Sequence, residues 1–297
     1  MHPNPTTTAP KVGLMDLFLR SGDALRNWRA LLTLVGAAVA ALVMMMASAA
    51  TGHAGVIFVG VLVGYATVSV GISASGFLLM DQALNQTPRR IRVALVDGAR
   101  AAVRLFAILL IGLAGALVAV LVVALLVLLC KIPGLGGLLY AVVLPASVLL
   151  LAFVYASLYF VLALAGAVVW SGVTLRQALA ALVAIVTHRF VESAIGVLLL
   201  TLFMLLVGGV IGVFVSTGVG IVAGLSAGIL DTAMIMLDLS TLFEGGRAQA
   251  VVYGGMLGLG ILLAVVGSVI FSMAILGLNR LYLHLSADLA VPSTTPA

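Results

Sequence analysis

Three groupings of polar side chains stand out in a chain that has few of them. Tyr65, Ser69 and Ser73 recur every fourth residue inside an apolar run, so on a helix their hydroxyls form one stripe. Such a stripe either hydrogen-bonds to a neighbouring helix, at about 1 kcal/mol or less per contact, or walls a polar cavity that takes a substrate. Arg189 and Glu192 lie three residues apart where another apolar run begins. That is the spacing of a helical ion pair, here an interfacial bridge or a gate. Asp231 and Asp238, seven apart, share one face of a segment between two apolar runs. Ionisable groups at membrane depth are costly and mark function; outside the membrane the same pair is a solvated edge.

Other chemistry lacks its residues. There is no His-Glu-x-x-His helix and no Gly-Lys-Ser/Thr phosphate loop. His2, His53, His188 and His284 are scattered without metal-ligand spacing. The run Gly71-Ile-Ser73-Ala-Ser75-Gly76 has the small-residue look of an intramembrane serine protease turn, but it falls inside an unbroken span. The expectation is a protein that is not an enzyme and takes no cofactor or metal.

The elements that must position these residues follow from composition. The chain has 297 residues, 64% hydrophobic and 8% charged, against about 45–50% and 25% in soluble domains. A water-soluble globule of this make-up could not cover itself with polar surface. Nucleic-acid binding and disorder are excluded by the same counts. The fold class is all-α, a polytopic membrane helix bundle. Cys130 is the one cysteine, so no intramolecular disulfide forms. The excess of Arg over Lys, with abundant Ala, Val, Leu and Gly, points to a bacterial inner membrane. Ala47-Ser48-Ala49-Ala50 resembles a cleavage site, but the polar region before it is too long and the apolar run is of span length.

Six apolar runs have the ~20 residues a bilayer requires: 30–50, 56–80, 105–130, 144–169, 194–215 and 256–278. Residues 1–13 and 291–297 are tails, and 216–255 is an outer insertion. Within it, 220–239 is apolar but interrupted by Asp231 and Asp238, and reads as a span, a re-entrant segment or an outer one. Leu14–Arg29 and Thr87–Arg104 show the 3.6-residue period of amphipathic helices, which either lie in the headgroup plane or pack on the cytoplasmic ends of the bundle. In the second, Pro88 suits the first turn, and Arg89, Arg100 and Arg104 share a side at headgroup level. Thr174–Glu192 is a weaker version. The pattern of amphipathic helix, span, turn and returning span repeats three times.

Lys11, Arg20, Arg26, Arg29, Arg89, Arg90, Arg92, Arg100, Arg104, Arg176, Arg189 and Arg280 fall in the termini and alternate connections; only Lys131 and Arg247 fall in the others. Twelve against two predicts cytoplasmic N- and C-termini. A packing ridge of Gly208, Gly212, Ser216, Gly220, Gly224 and Gly228 recurs every fourth position. Because 194–239 as one helix would be about 69 Å long, a break is expected near Ser216-Thr217-Gly218. Gly208 and Gly212 would pack the fifth span on a neighbour. Gly220, Gly224 and Gly228 would let the next helix fold back on the bundle or on a second copy.

Asp23-Ala-Leu-Arg-Asn-Trp28 and Val96-Asp-Gly-Ala-Arg100, each running into a span, resemble the bacterial six-helix membrane family related to the membrane domain of glycerophosphodiester phosphodiesterases. The resemblance implies six spans and supplies no catalytic residues; the insertion near Asp231 departs from it. The expected partners are the lipid bilayer and a membrane-protein partner or second copy, with no nucleic acid. The expected function is a transport or substrate-binding component for a small or lipidic substrate, or else a structural assembly partner.

Overall fold

The computed structural model describes residues 20–131, 136–229 and 247–287. A 3-10 helix, Arg20–Arg26, leads into α1 (Trp28–Ala49), α2 (Ala54–Ala83), α3 (Ile91–Leu129), α4 (Gly136–Trp170), α5 (Leu175–His188), α6 (Phe190–Ile229) and α7 (Arg247–Ser286). Every described element is helical, as lipid demands of a chain that must satisfy its own backbone. Six helices are long and apolar enough to cross a membrane, one for each expected run.

Consecutive helices pair along the chain, α1 with α2 most extensively, then α2 with α3 and α3 with α4. The last helix, α7, packs on α1, α2, α4, α6 and the 3-10 helix and so closes the bundle. The buried core lies toward one end. It is built from Leu78–Met80 ending α2, Leu164–Trp170 ending α4, one face of α5, and Met273–Leu285 ending α7. The connections that meet there carry the arginines, so we call it the basic end. Toward the far end, Leu121, Leu125, Val142, Leu149 and Phe214 are exposed, an apolar surface suited to acyl chains.

The expected surface helices fare differently. Within Leu14–Arg29, residues 14–19 lie outside the described residues, and the remainder is not one helix. The 3-10 turn stops at Asn27, whose side chain accepts from Ala30 N and caps α1. Asn27 itself is buried while Leu25 and Trp28 are exposed. Of the polar face, Asn27 turns into the bundle while Arg20 stays exposed and Asp23 is half-buried. The Thr87–Arg104 segment is no separate helix either. Its helical part begins at Ile91 and is continuous with the span to Leu129, and Pro88 precedes the helix. Only α5 stands as a distinct amphipathic helix. Thr174 and Gln177 form its reciprocal capping box, and Ala178, Ala181, Leu182 and Ile185 form its buried face.

The break expected at Ser216-Thr217-Gly218 is absent. The α6 helix runs 40 residues to Ile229, about 60 Å. Both hydroxyls bond back to Val213 O within the helix, at 3.0 and 2.8 Å, an arrangement a continuous helix accommodates. The helix is thus about twice the ~30 Å hydrocarbon thickness, with no turn within it.

Candidate functional site

The polar centre of the molecule is a turn and the helix ends around it. Helix α2 ends in a Schellman closure: Asn85 N donates to Gln82 O at 3.1 Å and Gln86 N to Asp81 O at 2.8 Å. The left-handed position is Asn85, with φ 54°, a conformation Asn tolerates better than most residues. This reversal brings Arg89 back over the end of α2. Its Nε and Nη2 fork onto the Asp81 carboxylate, each at 2.9 Å, and its backbone N adds a third bond at 3.1 Å. Its Nη1 reaches Asp97 on α3 at 3.1 Å, and the guanidinium stacks over Phe77, 4.8 Å from the ring centre. The Asp81 side chain is only 5% exposed, so this fork is what makes burying its charge tolerable. The Arg89 guanidinium is held above the ordinary arginine range, first by its hydrogen bond to Asp81, against the opposing effect of burial. An upward shift on a cation means that the arginine's stabilising charge is fully present at neutral pH and is lost as pH climbs through that raised value.

Around this centre, polar side chains tie helices to one another through backbone carbonyls. Asn27 donates to Leu78 O at 3.1 Å, Ser75 to Ala30 O at 2.9 Å and Asn279 to Gly76 O at 3.3 Å. Gln82 donates to Asp23 O, and Arg280 on α7 pairs with the Asp23 carboxylate at 3.2 Å. Arg104 donates to Val173 O at 3.1 Å and Arg29 to Pro88 O at 3.2 Å. Arg89 and Arg104 therefore face protein groups, while Arg100, near Asp97 at 3.9 Å, is largely exposed. The two similar sequence motifs do similar work. Asp23 and Asp97 each accept from an arginine of another segment, and the following residue, Ala24 or Gly98, is buried against it.

The stripe does not form a cavity wall. Tyr65 is 66% exposed, and Ser69 is exposed with its hydroxyl spent on Tyr65 O. Ser73 is buried. The outer half of α2 is flanked by α1, whereas its last turns are enclosed by α3, α4 and α7 as well, so one stripe passes through two environments. Arg189 and Glu192 do pair, at 3.1 Å, and His284 of α7 stands 3.5 Å from the same carboxylate. Asp231 and Asp238 lie outside the described residues. Of the ridge, Gly208 touches Ile270 of α7, at 3.6 Å from an added Cβ, while Gly212, Gly220 and Gly224 meet nothing within 4 Å. At 3.6 residues per turn, a step of four advances ~40°, so the ridge winds off the α7 contact after its first member. Gly228 falls within α6. No family model, curated protein or solved structure matches this chain.

Asp81, Asn27, Ser75 and Asn279 are the site residues that sequence reading missed. A usable signal was present: Asp81, Arg89 and Asp97 are spaced eight apart across a turn. Chemically the arrangement is a lock. Most of its donors and acceptors are spent on one another and on backbone, while Gln82 Oε1, Asn279 Oδ1 and Arg280 Nη1 are buried without a hydrogen-bond partner among the described residues.

Proposed function

We propose that this chain is a membrane-embedded structural or assembly component, without catalysis of its own, that binds a second membrane helix along α6. The supporting observation is the open ridge. Among the described residues, Gly212, Gly220 and Gly224 have no neighbour for a Cβ, and Ser216 between them is exposed. Each glycine costs a helix about 1 kcal/mol relative to alanine. Acyl chains do not require that sacrifice; close approach of another helix does. The occupant is a second copy or another membrane protein.

Gly218 is equally open but lies off the ridge, which gives a clean comparison. Among the described residues, nothing stands within 4 Å of a Cβ added at either Gly224 or Gly218. Gly224→Leu is expected to reduce the cross-linked or native-mass assembly in mild detergent several-fold, with Gly218→Leu near the unmodified chain. Equal effects at both positions would remove the ridge from the argument.

A second reading, a carrier or binding component for a small or lipidic substrate, is favoured by a lateral crevice of about 550 Å³ between α1, α2 and α3. In either case the charge distribution supports an inner-membrane protein whose basic end faces the cytoplasm. A reporter fused at Ala297 is then expected to read cytoplasmic; an external reading refutes that orientation.

A further inference from the structure

We infer that the crevice along α1 and α3 at the basic end holds one anionic phospholipid, its head group on Arg26 and Arg29 and an acyl chain in the groove beside them. This holds whether the chain is a scaffold or a carrier. The head-group site is an open pocket of about 500 Å³ that brings Arg26 and Arg29 together with the amides of Gln82, Asn85 and Gln86, and among the described residues no carboxylate lines it. Arg26 is exposed, and its side chain makes no hydrogen bond or ion pair with a described residue. Arg29 spends one N–H on Pro88 O and lies over the Trp28 ring at 5.7 Å. Most of the donors are thus left for an anion, and phosphate oxygens match guanidinium geometry.

The second observation is independent of charge. Leu32 and Gly36 follow Arg29 on the same face of α1, and Ile91 and Leu95 follow Pro88 on α3. With Val63 and Val70 these residues line the 550 Å³ groove, whose exposed surface is mostly apolar. Arg29 and Pro88 border the polar pocket, and the next turns border the apolar one. A soluble phosphate would use the first alone, whereas a phospholipid uses both. Trp28, 59% exposed, stands at the junction, the depth that amphipathic rings prefer.

The test is native mass spectrometry of the full chain in mild detergent with added phosphatidylglycerol or phosphatidylcholine at equal concentration. One retained phosphatidylglycerol, in clear preference to phosphatidylcholine, is expected. Arg26→Gln with Arg29→Gln should lower that preference roughly thirtyfold, taking the effect of each basic residue near anionic lipid as independent. Arg26→Gln alone should lower it roughly fivefold, and it leaves the Arg29–Pro88 contact in place. Gly36→Leu, where an added Cβ meets nothing within 4 Å, should fill the groove and expel the lipid while the helical circular dichroism is kept. Equal retention of the two lipids, or a preference that survives these substitutions, overturns the inference. So does full displacement by millimolar inorganic phosphate, which would mark a phosphate site.

Discussion

Replacing Arg89 by Met lowers the stability of the bundle by about 3 kcal/mol or more, the scale set by stranding one member of a buried ion pair. The loss comes less from the missing attraction than from what remains. Asp81 keeps a carboxylate that is nearly sealed from solvent, with the backbone N of residue 89 as its one surviving donor from that side. The double substitution Asp81→Asn with Arg89→Met removes the stranded charge and is expected to be the milder of the two, because an uncompensated charge costs more than an absent pair. Arg89→Lys falls between the unmodified chain and Arg89→Met: it retains a cation but cannot fork onto both oxygens while reaching Asp97. Denaturation midpoints in one detergent, with two-state behaviour checked first, order the four proteins. If Arg89→Met is no worse than the double variant, the buried charge is not what the turn protects.

The turn that carries this network was only partly legible in the sequence. Spans are written in composition, since twenty apolar residues have few uses other than crossing lipid, and all six runs coincide with helices. Periodicity grouped Asp23 and Asn27 as one polar face but could not say which way each turns. In water a polar face turns outward. At the edge of a membrane bundle, neighbouring helix ends offer carbonyls, and Asn27 turns inward to Leu78 O. The same reversal explains Arg89. A headgroup position and an inward fork require the same residue in the same segment, and the choice depends on Asp81, eight residues earlier and across a turn. Ser75 and Asn279 are harder still, because their partners are backbone carbonyls 45 and 203 residues away. Within the chain the ridge meets a described neighbour at one member, for another reason. Spacing of four defines a face only over a few turns, so Gly208 could meet α7 and its successors could not.

The inward turn of polar groups also orders the energetics of the two ends. At the basic end, helices are joined by side-chain bonds to carbonyls and by paired charges, and the bonds of Asn27, Ser75 and Asn279 are buried from competing water. Toward the far end, contacts are aliphatic and much apolar surface is left to lipid. In a bilayer, exposed Leu and Val gain little by moving from acyl chains to another helix, because the two environments are equally apolar. Association between spans then relies on close packing and on polar bonds, and both are concentrated where α2 meets α3, α4 and α7. Hydrogen exchange in detergent is accordingly slower there than along the far half of α3.

Gly98→Ala shows how close that packing is, and costs about 2 kcal/mol despite placing a better helix former in α3. A Cβ at residue 98 would stand 2.8 Å from Ala74 N, 2.9 Å from Val70 O and 3.0 Å from Ala74 Cα. All three are backbone atoms of α2, so no rotamer change relieves the contact; the two helices must separate. Overpacking of this kind typically costs about 1–3 kcal/mol, and the removed glycine returns at most about 1 kcal/mol of helix propensity. Separation of α2 from α3 also disturbs the network next to residue 98, because Asp97 must stay within reach of Arg89. Gly115→Ala is the matched control. It lies on the same helix, an added Cβ there meets nothing within 4 Å, and the propensity gain should leave it neutral or stabilised. The measurement is the difference between the two midpoints in one detergent. A Gly98→Ala protein as stable as Gly115→Ala would mean that α2 and α3 do not approach at this point, and the positioning of Asp97 opposite Arg89 would need another cause.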